Sequence, residues 1–404
     1  MQNESRRQDH QGQKRIGGVA EMKTERLGGL ATFLSGFAFK SNLFNDEEKG
    51  MPIIRIRDVI RGRSETYFSG EYDERYLVKK GDYLIGMDGE FNLARWDSEP
   101  ALLNQRVCKI DSLSRTIDRG YLGRFLPAAL KKIEDATPFV TVKHLSVKTL
   151  NEIEIPLPPL AEQKRIAAIL DAADALRAKR REALAQLDAL LQSTFLTLFG
   201  DPVENPMGWV NDSLTNHGSF KNGLNYGKSE KGIEVTCLGV GNFGSRSRID
   251  DVSKLPSLSL NSMPPKEYLL KEGDIVFVRS NGNRALVGRC LSIHPNDNPV
   301  TFGGFCIRYR IEDSQLVATY LTHLFRTASM RSCMLQGGQG ANIQNINQKV
   351  LGDLTIPLPP LTLQRRFAAI VESIERQKAA QRAHLTELAA LFAALQHRAF
   401  RGEL

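Results

Sequence analysis

The sequence predicts two α/β (α+β) domains in pseudo-twofold arrangement, joined by two long antiparallel coiled-coil-like helices. The first observation is a repeat. Glu152 to Gly200 (EIEIPLPPLAEQKRIAAILDAADALRAKRREALAQLDALLQSTFLTLFG) returns as LTIPLPPLTLQRRFAAIVESIERQKAAQRAHLTELAALFAALQHRAF. One constant offset of 201 residues sets Pro156 on Pro357, Leu160 on Leu361, Leu184 on Leu385 and Leu191 on Phe392, and fixed-offset self-similarity is a statement about architecture. The second is that each copy reads as a helix too long for an ordinary globular core, roughly 38 residues or about 57 Å at 1.5 Å per residue. The third is that a β-rich stretch precedes each helix with the same order of runs. These divide the chain into a leader (1–21), a first globular domain (22–155), a first spacer helix (156–200), a second globular domain (201–355) and a second spacer helix (356–404).

The leader has no apolar core, so it is not a secretory signal, and it is expected to be disordered, with Met22 as an alternative start. Residues 22–155 hold the β-rich runs MPIIRIRDVI, RYLVKKGDYLIGM, QRVCKI and PFVTVKHL and one helical candidate, GYLGRFLPAALKKIEDA. Residues 201–355 repeat the scheme with GIEVTCLGVGNF, EYLLKEGDIVFVRS, GGFCIRYRIE and the helical TYLTHLFRTASMRSCMLQG. Gly81–Ile85 matches Gly273–Phe277, and Gly50–Val59 matches Gly232–Gly241. In each spacer, prolines hold an extended entry and a helix starts where the missing N–H costs nothing. The first seam runs Ile166, Ile169, Ala173, Leu176, Arg180, Leu184, Leu187, Leu191, Phe195, Leu198. The second runs Phe367, Ile370, Ile374, Gln377, Gln381, Leu385, Leu388, Phe392, Leu395. Steps of three and four residues are those of an amphipathic or coiled-coil helix. Because the first helix delivers the chain to the second domain and the second helix leaves that domain in an equivalent way, the two are expected to run antiparallel.

Composition sets limits. The 404 residues are 25% charged and 41% hydrophobic, as in soluble chains of two or three domains, and no apolar run approaches the roughly 20 residues of a membrane span. Five cysteines without C-x-x-C spacing suit reduced thiols in the cytoplasm rather than disulfides or zinc. The net charge of +8 is spread thinly, no segment exceeding +3, so a grip on nucleic acid must come from local patches or a partner.

Catalytic signatures are missing. There is no P-loop, H-E-x-x-H, G-x-S-x-G or Asn/Asp-Pro-Pro-aromatic tetrapeptide, and the seven histidines are isolated from one another. Gly239-Val240-Gly241-Asn242-Phe243-Gly244 is a literal G-x-G-x-x-G. The SRSRIDDVSKLPS that follows is no amphipathic helix, so there is no helix N-terminus to take a pyrophosphate. Binding chemistry remains. Arg279, Ser280, Asn281, Asn283 and Arg284 form a loop after a buried strand, with Asn92 and Arg95 in its first-half counterpart, Asp88–Arg95. Arginine pairs with guanine edges or phosphates and asparagine with adenine edges. The amide-rich Gln336, Gln339 and Asn342 join them, as do Arg55 and Arg57, which are expected to alternate on a strand and face away from the core. Polar turns and a solvated face account for the same residues.

At this point the residues carry a resemblance. Ile155-Pro156-Leu157-Pro158-Pro159-Leu160 with Glu162-Gln163, the exit Phe199-Gly200-Asp201-Pro202 with Asn205-Pro206 and Gly208-Trp209, the Gly-Asp strand starts and the ending Ala399-Phe400-Arg401-Gly402-Glu403-Leu404 look like the specificity subunit of type I restriction-modification systems. The resemblance spans nearly all the chain after Met22. It implies two target-recognition domains reading a bipartite site in double-stranded DNA, with helices that set the gap. It implies assembly with two modification subunits that bind S-adenosylmethionine and methylate adenine, and with restriction subunits that use ATP and Mg, no cofactor being bound by this chain itself. Partner contacts would then fall on Gln163 and Arg165 in the first helix and on Gln364 and Arg365 in the second. The readings from other classes are a stand-alone methyltransferase or endonuclease and a coiled-coil scaffold without a nucleic-acid role.

Overall fold

A computed structural model describes residues 23–138, 143–227, 230–244, 246–336 and 345–404. The leader expected over residues 1–21 lies outside these, as do Phe139–Val142 of the PFVTVKHL run, Gln339 and Asn342. The chain forms two units. One comprises the residues up to Lys179 with His384–Leu404, and the other Arg180–Ala383.

The first unit opens with β1 (Thr24–Arg26) and β2 (Ala31–Ser35), followed by β3 (Phe44–Asn45), β4 (Met51–Ile54), α1 (Ile56–Arg61), β5 (Tyr67–Phe68), β6 (Leu77–Val78), β7 (Tyr83–Gly86), β8 (Leu93–Arg95), β9 (Ala101–Leu103) and β10 (Val107–Leu113). Then come α2 (Arg119–Ala136), α3 (Val147–Asn151), β11 (Glu154–Pro156) and the first long helix, α4 (Leu160–Phe199). One sheet has the order β2-β10-β7-β8, a second β3-β5-β4-β9-β6, and β1 pairs with β11. Short apolar runs such as Tyr83–Gly86 and Val107–Ile110 make strands because both faces are covered, by α2 on one side and the second sheet on the other.

The second unit repeats this with β12 (Asn211–Ser213), β13 (Gly218–Asn222), β14 (Ile233–Leu238), β15 (Arg248–Ile249), β16 (Ser257–Leu260), β17 (Asp274–Val278), β18 (Cys290–Ile293), β19 (Val300–Phe302) and β20 (Cys306–Ile311). It continues with α5 (Ala318–Phe325), α6 (Ala328–Gln336), α7 (Gln348–Gly352), β21 (Thr355–Pro357) and α8 (Leu361–Ala399). Its sheets run β13-β20-β17-β18-β15 and β16-β14-β19, with β12 on β21. The duplication reaches the register. β4 and β9 are parallel, as are β14 and β19, and Thr24↔Pro156 is matched by Asn211↔Pro357.

Three expectations are corrected here. Arg55 and Arg57 are not on a strand, because β4 ends at Ile54 and a helix begins. The Asp58 carboxylate accepts the Arg55 N–H at 2.9 Å, capping the first turn, and Gly62 closes the helix with φ 69°. The run Thr319–Gln336 is two helices rather than one, broken at Arg326-Thr327, where the Thr327 hydroxyl donates to the Leu324 carbonyl. The seams are displaced. Leu176 is exposed while Leu170 is buried, and Gln377 is exposed while Val371 and Lys378 are buried.

Burial in α8 follows a seven-residue repeat, Gln364, Val371, Lys378, Leu385, Phe392, Ala399 interleaved with Phe367, Ile374, Gln381, Leu388, Leu395. A strict heptad is the coiled-coil pattern. Within the first unit the Arg177 guanidinium stacks over Phe392 at 4.6 Å, and Arg165 donates to the Leu404 carbonyl at 2.9 Å. Within the second, Arg180 donates to Gln381 at 2.6 Å, and Lys378 meets Asp188 at 2.6 Å. Low numbers in one helix meet high numbers in the other, so the paired stretches run antiparallel. Arg180 and Gln381 are counterparts at the 201-residue offset, which is the pair that two antiparallel copies of one helix bring together.

Candidate nucleic-acid interface

The two sets of loops that sequence reasoning matched are built on one backbone plan. In the first unit the Met87 N–H donates to the Arg106 carbonyl at 3.0 Å and the Leu145 N–H to the Met87 carbonyl at 2.8 Å, with a bridge between Asp88 and His144. In the second, the Arg279 N–H donates to the Phe305 carbonyl at 2.8 Å and the Ile346 N–H to the Arg279 carbonyl at 3.0 Å, with a bridge between Ser280 and Asn345. Met87 therefore corresponds to Arg279, and Asp88 to Ser280.

On that shared frame the side chains differ. The Asp88 carboxylate pairs with the Arg106 guanidinium and with His144 Nδ1. Asn92 donates to Glu90 at 3.2 Å, and Arg95, at the end of β8, pairs with Asp97 at 3.0 Å. The Phe91 N–H donates to Glu134 at 3.0 Å, which ties the loop to α2. A Cβ on Gly86 would meet Ile56, so α1 lies beside the strand that leads into this loop. Arg55 and Arg57 are exposed at the start of that helix, Arg57 being 3.7 Å from Asp58. Burial pushes the Asp58 carboxyl up, against the downward pull of the Arg55 N–H and of Arg57.

In the second unit, Asn281 Oδ1 accepts the Asn283 N–H at 2.8 Å and Asn283 Oδ1 accepts the Ala285 N–H at 3.0 Å. These are successive Asx turns that shape the loop and leave both amide NH2 groups for other work. Arg284 is exposed at the tip and Gln336 ends α6, also exposed. Beside them lies a cluster that sequence reasoning missed. Arg289 Nε and an Arg331 terminal amine donate to the same carbonyl, that of Ala285, at 2.9 and 2.5 Å. Burial, Arg289 and Arg326 all push the Arg331 guanidinium down. Convergence of like charges invites an anion. Its signal in the sequence was faint, because Arg331 is remote from the loop in the chain and sits in a helical run.

Two of the residues expected to meet partners are placed otherwise. Gln163 and Gln364 are 0% and 1% exposed. Gln163 accepts the Asp118 N–H at 2.8 Å and donates to the Thr116 and Pro158 carbonyls at 2.9 Å. Gln364 accepts the Val317 N–H at 3.0 Å and donates to Gln315 and Pro359 at 3.1 and 2.9 Å. With every bond satisfied internally, these amides lock the helix start to the loop before α2 or α5 and offer nothing to a partner. Arg165 and Arg365 are exposed, Arg165 forking onto Glu162.

The G-x-G-x-x-G stretch is a short 3-10 turn, Val240–Asn242, in which Asn242 Oδ1 accepts the Gly239 N–H at 2.9 Å. It is the counterpart of the Asp58 cap. Among the described residues, no three His, Cys, Asp or Glu side chains are grouped to hold a metal, and no helix is long and apolar enough to cross a membrane. The cysteines are free, and burial pushes the Cys290 thiol up to about 12.

Known proteins share this plan. The family model for the type I restriction modification DNA specificity domain matches residues 20–186 and 257–389. The EcoBI specificity subunit of Escherichia coli is 32% identical over 413 residues, covering 93% of this chain and 84% of that protein. The MjaVIII specificity subunit of Methanocaldococcus jannaschii is 25% identical over 370 residues, covering 87% and 85%. In fold, the chain is similar to the type I restriction-modification S subunit of M. genitalium, with a TM-score of 0.54 at 16% identity over 96% of this chain and 98% of that one. A structure from a study of type I restriction-modification complex assembly gives 0.55 at 18% identity, covering 95% and 98%.

Proposed function

Because this chain belongs to the family of type I restriction-modification specificity subunits, we propose that it reads two half-sites in double-stranded DNA, one with each globular domain. On this reading it presents the target to modification subunits that carry S-adenosylmethionine, and to restriction subunits that use ATP and Mg. The observation that supports the reading is the pair of loops held by equivalent backbone bonds yet carrying unlike side chains. A constant frame with variable tips is what sequence reading on a duplicated scaffold requires.

DNA contact is assigned to Arg279, Ser280, Asn281, Asn283, Arg284 and Gln336 in the second domain and to Arg55, Arg57, Asn92 and Arg95 in the first. The exposed Arg165 and Arg365, at matching helix starts, remain as partner contacts. The purified chain is expected to transfer no methyl group from S-adenosylmethionine alone, and to direct site-specific transfer once its modification subunit is added. Methyl transfer by the chain alone would overturn the reading in favour of a stand-alone enzyme. Replacing Arg279, Asn281 and Arg284 together by alanine is expected to reduce affinity and flatten its salt dependence, and a variant that keeps both would return these loops to ordinary turns.

A further inference from the structure

The turn Gly303-Gly304-Phe305 joins β19 to β20 and holds Phe305 in solvent, 67% exposed. Its backbone is pinned. The Cys306 N–H closes onto the Gly303 carbonyl at 2.9 Å, the Gly303 N–H donates to Leu238 at 3.1 Å, the Gly223 N–H to Cys306 at 3.0 Å, and the Arg279 N–H to Phe305 itself at 2.8 Å. A Cβ on Gly304 would stand 2.0 Å from Asn225 Oδ1 and 3.5 Å from the Leu224 carbonyl, so the neighbouring segment lies against the turn. Beside it Tyr226 is 47% exposed. One exposed aromatic ring on its own calls for no explanation.

The counterpart in the first unit supplies the reason. There the turn is Asn104-Gln105-Arg106, closed by Val107 onto Asn104 at 2.9 Å and tied by Met87 to the Arg106 carbonyl at 3.0 Å. The bridge Leu224↔Gly303 is matched by Phe37↔Asn104. On one backbone, Arg106 with Asp88 and His144 is replaced by Phe305 with Ser280 and Asn345. The exchange of an ion pair with a histidine for an aromatic ring with two neutral polar groups occurs at the same three positions, directly beside the loop that carries Arg279.

We propose that Phe305 is a base-contacting, specificity-determining residue of the second domain, laying its ring against apolar base surface in that domain's half-site. This rests on the DNA-reading function above. Two surfaces fit a phenyl ring: the thymine methyl group in the major groove, and the face of a base step opened by a wedge.

The test uses the full chain assembled with its modification subunit, titrated onto duplexes in which each base pair of both half-sites is changed in turn. Phe305→Ala is expected to weaken the cognate duplex about tenfold or more and to relax discrimination at one or two positions of a single half-site. The other half-site is read as before, and Phe305→Leu retains most of the affinity. If the contact is a methyl group, uracil in place of thymine at those positions reproduces the loss in the wild type and adds nothing in the alanine variant. If it is a wedge, uracil is silent and the bend measured by end-to-end fluorescence transfer decreases in the variant. An alanine variant with unchanged melting temperature that binds and discriminates like the wild type overturns the proposal. So does one that fails to associate with the modification subunit, since Phe305 then belongs to a subunit interface. If the wild-type complex itself distinguishes no sequence, the DNA-reading function fails and this assignment falls with it.

Discussion

At the scale of single residues, Gln163 and Gln364 show what a sequence repeat can and cannot say. Their recurrence at the 201-residue offset marks them as important, yet only burial decides for what. Removing either amide strands a backbone N–H and two carbonyls, at about 1 to 3 kcal/mol for each group left unsatisfied. Gln163→Leu is therefore expected to lower the denaturant midpoint while leaving the affinity for partner subunits intact at temperatures where the variant is folded. Weakened assembly without loss of stability would restore the partner-contact reading. His323 is a second case. It is buried on α5 against Phe367, and burial, with Arg326 and Lys378 nearby, depresses its pKa to about 3. The unfolded chain takes up a proton below about pH 6.5 and the folded chain does not. The stability this histidine contributes is thus complete above that pH and is lost as pH falls toward 3. Between pH 7 and 4.5 the loss is about 2.5 kcal/mol, and His323→Phe is expected to shrink the fall in urea-unfolding stability over that range by a similar amount. An unchanged pH profile would mean that His323 is protonated in the fold.

At the scale of elements, the helices carry their polar residues inside the seam. Lys378, 3% exposed, is held by Asp188 at 2.6 Å and Glu375 at 2.5 Å. Breaking a buried pair costs more than replacing it. Asp188→Ala with Glu375→Ala, which strands the buried ammonium, is expected to destabilise the second unit by about 3 kcal/mol, whereas the triple variant Lys378→Met, Asp188→Ala, Glu375→Ala, which replaces the whole cluster, is expected to lie near the wild type; thermal melts of the two variants separate these outcomes. This layer explains where the sequence was legible and where it was not. Helix existence, length and pairing followed from the repeat, because a long periodic pattern has few alternative structures. The seam was placed one residue off at Leu176, an apolar residue, and with it at its counterpart Gln377, while the heptad in fact seats Arg177 and Lys378 there. Arg177 does so by stacking its planar guanidinium on Phe392, an option hydropathy does not register. The same limit applied to Arg55 and Arg57: alternation with isoleucine reads as a strand, but Asp58, buried and bonded to the Arg55 N–H, caps a helix instead. The loop pairing of Asp88–Arg95 with Arg279–Arg284 was visible from the buried strands that precede both. The Arg289–Arg331 cluster was not, since it depends on two side chains converging from distant segments on one carbonyl.

At the scale of the whole molecule, α4 is 40 residues long and α8 is 39, each contributing one part to the first unit and one part to the second. Matched lengths and an antiparallel course mean that neither helix can be extended alone without sliding Arg180 off Gln381 and Lys378 off Asp188. If the helices set the gap between half-sites, lengthening both together must change it. Seven residues inserted after Ala185 and after its counterpart Thr386 preserve the heptad and add about 10 Å to each helix at 1.5 Å per residue. Along DNA rising about 3.4 Å per base pair, that is roughly three base pairs. The double insertion is therefore expected to yield a folded subunit whose complex methylates sites with the same two half-sites and a gap about three base pairs longer. A single insertion is expected to lower the melting temperature instead, because it drags one seam past the other. Genome-wide mapping of methylated adenines in cells carrying each version reads the gap directly. A double-insertion complex that is active and keeps the original gap would transfer the role of ruler from these helices to the partner subunits.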